Sequence, residues 1–233
     1  GITGLNIPAY TSYAPDGRDL DISGVAPDDS GIQIKTSPLS DVIYVSNEES
    51  DMSVINWSPG NDYIYASSLG QASFRSKDYN DWDYEYNSED GLTFNFDAGT
   101  LTVNSDYGVI TAENIKNIYG TLGNDIMIGD DNYQNFRGDG GFDTYTGGVG
   151  QDNFRLESLT NNGEMVDQFV RITDFEEVDK ISIEDYGFTN NKSIVGNEFS
   201  VIQDQENNST YISINTYEHT IDNMFHIDGI FYL

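Results

Sequence analysis

The sequence predicts an all-β chain: a parallel β-roll, coiled in the manner of a right-handed β-helix, closed at its C-terminal end by an antiparallel β cap. Three observations point there. From Gly120 the chain runs through four consecutive nine-residue frames, GTLGNDIMI, GDDNYQNFR, GDGGFDTYT and GGVGQDNFR, each headed by glycine. Elsewhere apolar and polar residues alternate over short runs. Leu92, Phe94 and Phe96 interleave with Thr93, Asn95 and Asp97, the period of a half-buried strand. Before residue 156 no segment has a helical period.

The frames justify the coil. Their fourth positions are Gly123, Asn132, Gly141 and Gly150; their sixth are Asp125, Gln134, Asp143 and Asp152; their eighth are Met127, Phe136, Tyr145 and Phe154. This is the pattern G-G-x-G-x-D-x-U-x of calcium-binding coiled repeats. The glycine-rich half turns sharply, using φ values open to glycine. The sixth position supplies a carboxylate, and calcium takes six to eight oxygens from carboxylates and carbonyls. The last three positions form a short strand whose apolar residue points inward. Two frames make one turn, so loops 18 residues apart stack. Gly120, Leu122, Gly123 and Asp125 then face Gly138, Gly140, Gly141 and Asp143, where a full calcium site is expected. On the other side Gly147, Val149, Gly150 and Asp152 face a loop in which Gln134 and Asn132 replace Asp and Gly. A weaker or water-completed site is expected there.

The frames resemble the RTX (repeats-in-toxin) family, and the resemblance extends both ways. Residues 91–120 look like the longer lead-in of RTX β-rolls. Downstream, Asp152-Asn153-Phe154, Ile172-Thr173-Asp174-Phe175 and Asp179-Lys180-Ile181-Ser182-Ile183 are similar to the C-terminal part of serralysin-type β-rolls and of mannuronan-epimerase R-modules. The resemblance covers residues 91–233 well and 41–90 weakly. It implies calcium-dependent folding and type I secretion. It further implies that Asp179, less surely Asp174, completes a calcium site against the last rung. The ending Asp228-Gly229-Ile230-Phe231-Tyr232-Leu233 resembles the extreme C-terminus of type I substrates, or is a last buried strand.

Three regions follow. Residues 1–40 are rich in Pro, Gly, Asp and Ser and read as loops with one short strand, Ile32 to Ile34. Residues 41–155 read as the roll, with irregular early coils. There Gly60 and Asp62 match positions four and six, which makes Asp62 a further metal candidate and Asp41 a weak one. Residues 156–233 read as the antiparallel cap, since an open last rung would be an unpaired edge.

Composition sets the boundaries on function. The chain has 233 residues, 40 Asp+Glu against 10 Lys+Arg, a net charge of −30 and no cysteine. Such acidity repels nucleic acid and anionic membranes. Without Cys there is no disulfide, thiolate zinc site or thiol nucleophile. No apolar run reaches the roughly 18 residues of a membrane helix. Gly1-Ile2-Thr3-Gly4 lacks the basic start of a secretory signal, which predicts a fragment or export without an N-terminal signal. There is no HExxH helix, GxSxG elbow or phosphate loop. The two histidines, His219 and His226, read as surface or structural residues. Carboxylate pairs are so plentiful that calcium ligation or solvated charge explains them better than catalysis. Asp81, Asp83 and Glu85 mimic an EF-hand start, but Tyr86 and Leu92 stand where Gly and Glu are required.

One stretch suggests recognition. As a strand, Tyr79 to Tyr86 would put Trp82, Tyr84 and Tyr86 on one face and Asp81, Asp83 and Glu85 on the other. The aromatic row suits sugar stacking or an apolar peptide terminus; packing on a core is the plainer reading. Trp57, with Tyr63 and Tyr65, is a second candidate. Charge argues against a polyanion, because even about five bound Ca²⁺ would leave roughly −20. A neutral glycan or a peptide fits better. The expected protein is a non-catalytic, extracellular, calcium-binding β-roll module, monomeric within a larger type I-secreted bacterial protein, with an adhesin as the favoured parent. The alternative is an ancillary module of a secreted epimerase, lyase or protease.

Overall fold

The computed structural model describes residues 12–13, 19–21, 32–35, 40–44, 52–56, 60–66, 71–75, 91–105, 108–157, 160–161, 164–165, 168–184, 199–215 and 220–229. Among them every regular element is a strand. The chain divides into two compact units, residues 1–87 with 92–120, and residues 88–91 with 121–233.

In the first unit the strands are β1 (Ser12–Tyr13), β2 (Asp19–Asp21), β3 (Ile32–Lys35), β4 (Val42–Tyr44), β5 (Met52–Asn56), β6 (Asp62–Tyr65), β7 (Gln71–Arg75), β8 (Thr93–Asp97), β9 (Thr100–Ser105), β10 (Gly108–Glu113) and β11 (Ile115–Tyr119). Successive strands from β1 to β7 alternate between two sheets, ordered β1-β3-β5-β7-β11 and β2-β4-β6-β10-β9-β8. Each of these seven pairs in parallel with the strand one turn away. That alternation is a coil, and Ile43, Ile64 and Phe74 fill its interior. β8, β9 and β10 form an antiparallel meander within the second sheet. Its first turn is Ala98-Gly99, both with positive φ (49° and 83°), as a two-residue hairpin of right-handed twist requires. Leu92, Phe94, Phe96, Leu101 and Val103 are buried along it, and the edge of Phe94 meets Phe74 at 6.1 Å. The described part of residues 1–40 holds three strands where one was expected. β1 and β2 are two and three residues long, too short to leave a periodic pattern, and they exist through pairing with β3 and β4.

In the second unit the strands are β12 (Ile126–Ile128), β13 (Asn135–Arg137), β14 (Gly141–Thr146), β15 (Asn153–Glu157), β16 (Thr160–Asn161), β17 (Glu164–Met165), β18 (Gln168–Ile172), β19 (Lys180–Glu184), β20 (Phe199–Asp204), β21 (Ser209–Asn215) and β22 (Thr220–Asp228). One sheet here is β13-β15-β19; the other is β12-β14-β18-β22-β21-β20. Pairing is parallel as far as β22 and antiparallel from β22 through β21 to β20. The stretch 156–233, expected as one antiparallel cap, therefore contains two further parallel rungs before the meander closes the sheet. The first turns advance 18 residues. The next advance 27, lengthened on one side by the β16–β17 hairpin.

Register explains the eighth position of the frames. Met127 pairs with Tyr145, Tyr145 with Ile172 and Ile172 with Ile227, while Phe136 pairs with Phe154. All are fully buried. The rings of Phe136, Tyr145 and Phe154 lie 5.7 to 6.1 Å apart, the spacing of favourable aromatic pairs. A buried side chain of this size contributes roughly 1.5–3 kcal/mol, so this column holds the two sheets together.

Candidate metal centre

The loops between these strands stack as the strands do, and one bond recurs. Asp143 Oδ1 accepts the backbone N–H of Asp125 at 2.9 Å, and Asp152 Oδ1 accepts that of Gln134 at 2.8 Å. One rung on, Asp179 Oδ1 accepts the N–H of Asp152 at 2.9 Å. In the first unit Asp62 Oδ1 does the same for Asp41, also at 2.9 Å. Asp62, Asp143, Asp152 and Asp179 thus each fasten the loop one turn behind. Two columns result in the second unit: Asp125 with Asp143, and Gln134 with Asp152 and Asp179.

These are buried acids. Asp62, Asp125, Asp143 and Asp152 are at most 3% exposed. Removing a carboxylate from water costs several kcal/mol unless a charge or hydrogen bonds answer it. Burial, then the Asp125 carboxylate, pushes Asp143 well above the usual range. Asp152 is pushed up to about 7, chiefly by burial and further by the charges of Asp179, Asp174 and Asp130, against the lowering effect of the Gln134 N–H. Tyr145, beneath Asp143, is also raised by burial and by that carboxylate. A cation would relieve all of these at once.

The glycines heading the frames have a role that their φ angles do not reveal. A Cβ on Gly138 would overlap Asp143 Oδ2, and one on Gly147 would lie 2.7 Å from Asp152 Oδ2. On Gly129 it would meet Gln134 Oε1 at 2.7 Å and overlap the Gly147 carbonyl. In these three frames the sixth-position side-chain oxygen lies over the first-position glycine. None of these three has positive φ; they are glycine because an oxygen sits where a Cβ would be. Conformational freedom matters instead at Gly141, Gly148 and Gly150, with φ of 82°, 87° and 157°.

The two columns differ in their donors. On the first, Asp125 Oδ2 accepts the Thr121 N–H at 2.7 Å, the Thr121 hydroxyl lies 3.1 Å from Oδ1, and Asp143 Oδ2 meets the Tyr145 hydroxyl at 3.4 Å. On the second, Asp152 Oδ2 and Gln134 Oε1 are buried with no hydrogen-bond partner. Asp174 accepts the N–H groups of Gly147 and Gly148, one on each oxygen at 2.8 Å. Asp179 Oδ2 accepts the Glu176 N–H at 2.7 Å. Among the described residues no three carboxylate or imidazole side chains converge. Any cation here must draw on carbonyl and amide oxygens as well. Calcium accepts such a set; zinc prefers nitrogen and sulfur.

Of the remaining metal candidates, Gly120, Gly123 and Gly140 are buried, Leu122 is half-buried, and the Val149 side chain is exposed. Trp57, Trp82, Tyr84, Tyr86 and His219 lie outside the described residues. Asp130, Asp139 and Thr121 were not anticipated. Asp130 and Asp139 are both second-position acids, which is the signal that was available. Asp139, at φ 75°, is buried against Arg137 as an ion pair.

The cap holds Ser209, His226 and Asp228, which do not form a nucleophilic triad. His226 Nε2 lies 3.0 Å from Ser209 Oγ and 3.4 Å from Asp228 Oδ1. Both contacts fall on one ring nitrogen, whereas a triad needs the acid on the other. Arg171 holds Asp228 through two bonds of 2.8 and 3.2 Å, and Tyr211 stacks on the imidazole at 4.8 Å.

The sequence matches no protein-family model and no curated protein. Among solved structures it is similar to the crystal structure of the extracellular lipase LipA from Serratia marcescens, at 13% identity and a TM-score of 0.31. The match covers 91% of this chain and 40% of that one, so the chain spans about two fifths of that structure. A likeness this distant bears on neither family nor activity.

Proposed function

We propose that this chain is a non-catalytic, calcium-dependent β-roll module of a type I-secreted extracellular protein. The carrying observation is the stack of acidic loops: Asp143 and Asp152, both buried, each spend one oxygen on the loop behind and set the other over a glycine, and Asp62 and Asp179 bind the loop behind in the same way. Without a cation, burial and neighbouring carboxylates hold Asp143 and Asp152 above the usual carboxylate range. With calcium they become ligands, and folding free energy is coupled to binding. Residues that would hold the ion are Asp125, Asp143, Asp152, Asp179 and, in the first unit, Asp62, with carbonyls of the glycine-rich loops. A chain that folds only on reaching external calcium stays extended during export. An adhesin is the favoured parent, on the strength of the aromatic stretch around Trp82, which suits a neutral glycan or a peptide. An ancillary module of a secreted polysaccharide-active enzyme or protease is the other reading.

The test is far-UV circular dichroism of the chelator-stripped chain during calcium titration. A cooperative gain of β signal between sub-millimolar and millimolar calcium is expected. A fold indifferent to calcium would refute the proposal.

A further inference from the structure

The loop Gly129 to Gln134 departs from the repeat at its fourth and sixth positions, and by pattern alone it has lost its ligand. Its geometry says otherwise. Gln134 is 2% exposed. Its Nε2 donates to Asp130 Oδ1 at 2.6 Å. Asp130 Oδ1 also accepts the N–H and the side-chain amide of Asn132, both at 2.9 Å. The amide is therefore clasped at its nitrogen, and its oxygen is turned the opposite way.

That oxygen lies over Gly129, beside the Gly147 carbonyl, and no hydrogen bond reaches it. It occupies the place that Asp143 Oδ2 takes over Gly138 and Asp152 Oδ2 takes over Gly147. Asp152 Oδ2, on the partner loop, is likewise buried without a donor. A buried acceptor left unmatched costs about 1–3 kcal/mol. Neighbouring acceptors with no donor between them are what a hard cation requires.

We propose that Gln134 is a calcium ligand through Oε1, oriented by Asp130 and sharing its ion with the Gly147 carbonyl and Asp152 Oδ2. The amide is not a lost ligand but a neutral one, positioned from behind by a carboxylate that itself does not touch the ion. This reverses the ranking expected from the sequence: the column with the substituted loop is the one that keeps two buried oxygens, Gln134 Oε1 and Asp152 Oδ2, without a protein donor. The inference rests on the calcium reading above.

The experiment counts bound calcium by equilibrium dialysis for the whole chain, Gln134→Met and Gln134→Glu. Gln134→Met, similar in volume and lacking the oxygen, is expected to bind one ion fewer than the parent, or to need about tenfold or more calcium for that ion. Gln134→Glu keeps an oxygen at the same reach and is expected to hold the parent's full count. Identical counts and concentrations for Gln134→Met and parent would overturn the assignment. Should Gln134→Met fail to fold, loss of an ion from Gln134→Glu would overturn it instead, and a full count would support it. A parent that binds no calcium is a different result, and removes the calcium reading itself.

Discussion

At Asp152 a full burial and a ring of like charges meet in one side chain. Its carboxyl is held at about 7, against about 3.9 for a free aspartate. A raised carboxyl favours the folded chain where it is protonated. Its contribution is complete below about pH 4 and is lost as pH rises through about 7. The calcium-free chain is therefore expected to melt higher at pH 5 than at pH 8, and Asp152→Asn to flatten that dependence. Thermal melts of the stripped chain check this, and an equal pH dependence in the variant would contradict it. Calcium should abolish the effect, since binding requires the deprotonated form. The same residue shows how much of the site was legible. The nine-residue spacing placed Asp143 beside Asp125 and Asp152 beside Gln134. It did not disclose which side-chain oxygens would be matched by donors, because Thr121 and Tyr145 supply them from outside the repeat's sixth position.

At the scale of the strand, the frames work because each short strand buries one large apolar side chain: Met127, Phe136, Tyr145 and Phe154 in turn. Phe154 is fully buried, with the rings of Phe136, Tyr145 and Phe175 all within 6.1 Å. Phe154→Ala is expected to cost about 3–5 kcal/mol, read as a shift of the denaturant midpoint in saturating calcium. Phe142→Ala is the control: Phe142 stacks on Phe169 at 4.5 Å but is 64% exposed, and its loss should cost about 1 kcal/mol or less. Comparable losses would mean that the aromatic column is not what joins the sheets. Strand pattern was legible at β8, where Phe94 and Phe96 alternate with polar residues over five positions. It was not legible at β1 and β2, whose short strands are defined by a partner a turn away. Nor did spacing reveal that β18 and β19 continue the coil, because the turn lengthens from 18 to 27 residues and the nine-residue frame ends at Arg155.

For the whole molecule the governing quantity is the charge of −30. Self-repulsion on that scale opposes any compact state, and salt screens it within about 10 Å at 0.1 M. Sodium chloride is therefore expected to raise the melting temperature of the calcium-free chain, and to raise that of the calcium-loaded chain by less. Melts at 0.05 and 0.5 M salt, with and without calcium, test this; equal shifts would mean that calcium does not neutralise the acids responsible. The cap bears on the same balance. β20 to β22 cover the edge of β18 with an antiparallel meander, where Arg171 and Asp228 form an ion pair across the junction.

What the sequence determined by itself was the repeat: a glycine, an acid five positions on and an apolar residue two beyond that. Backbone geometry and strand pairing leave such a pattern little choice but a parallel coil with stacked acid loops. How each buried oxygen is matched was set by the packing of the folded chain. A Cβ on Gly129, Gly138 or Gly147 would strike the sixth-position oxygen of its own frame, Gln134 is turned by Asp130 so that its own oxygen takes the aspartate's place, and Asp174 is drawn to two glycine N–H groups a turn behind. These are contacts between residues on different rungs or at opposite ends of a loop, and their directions are set by the packing of the rungs rather than by any local preference.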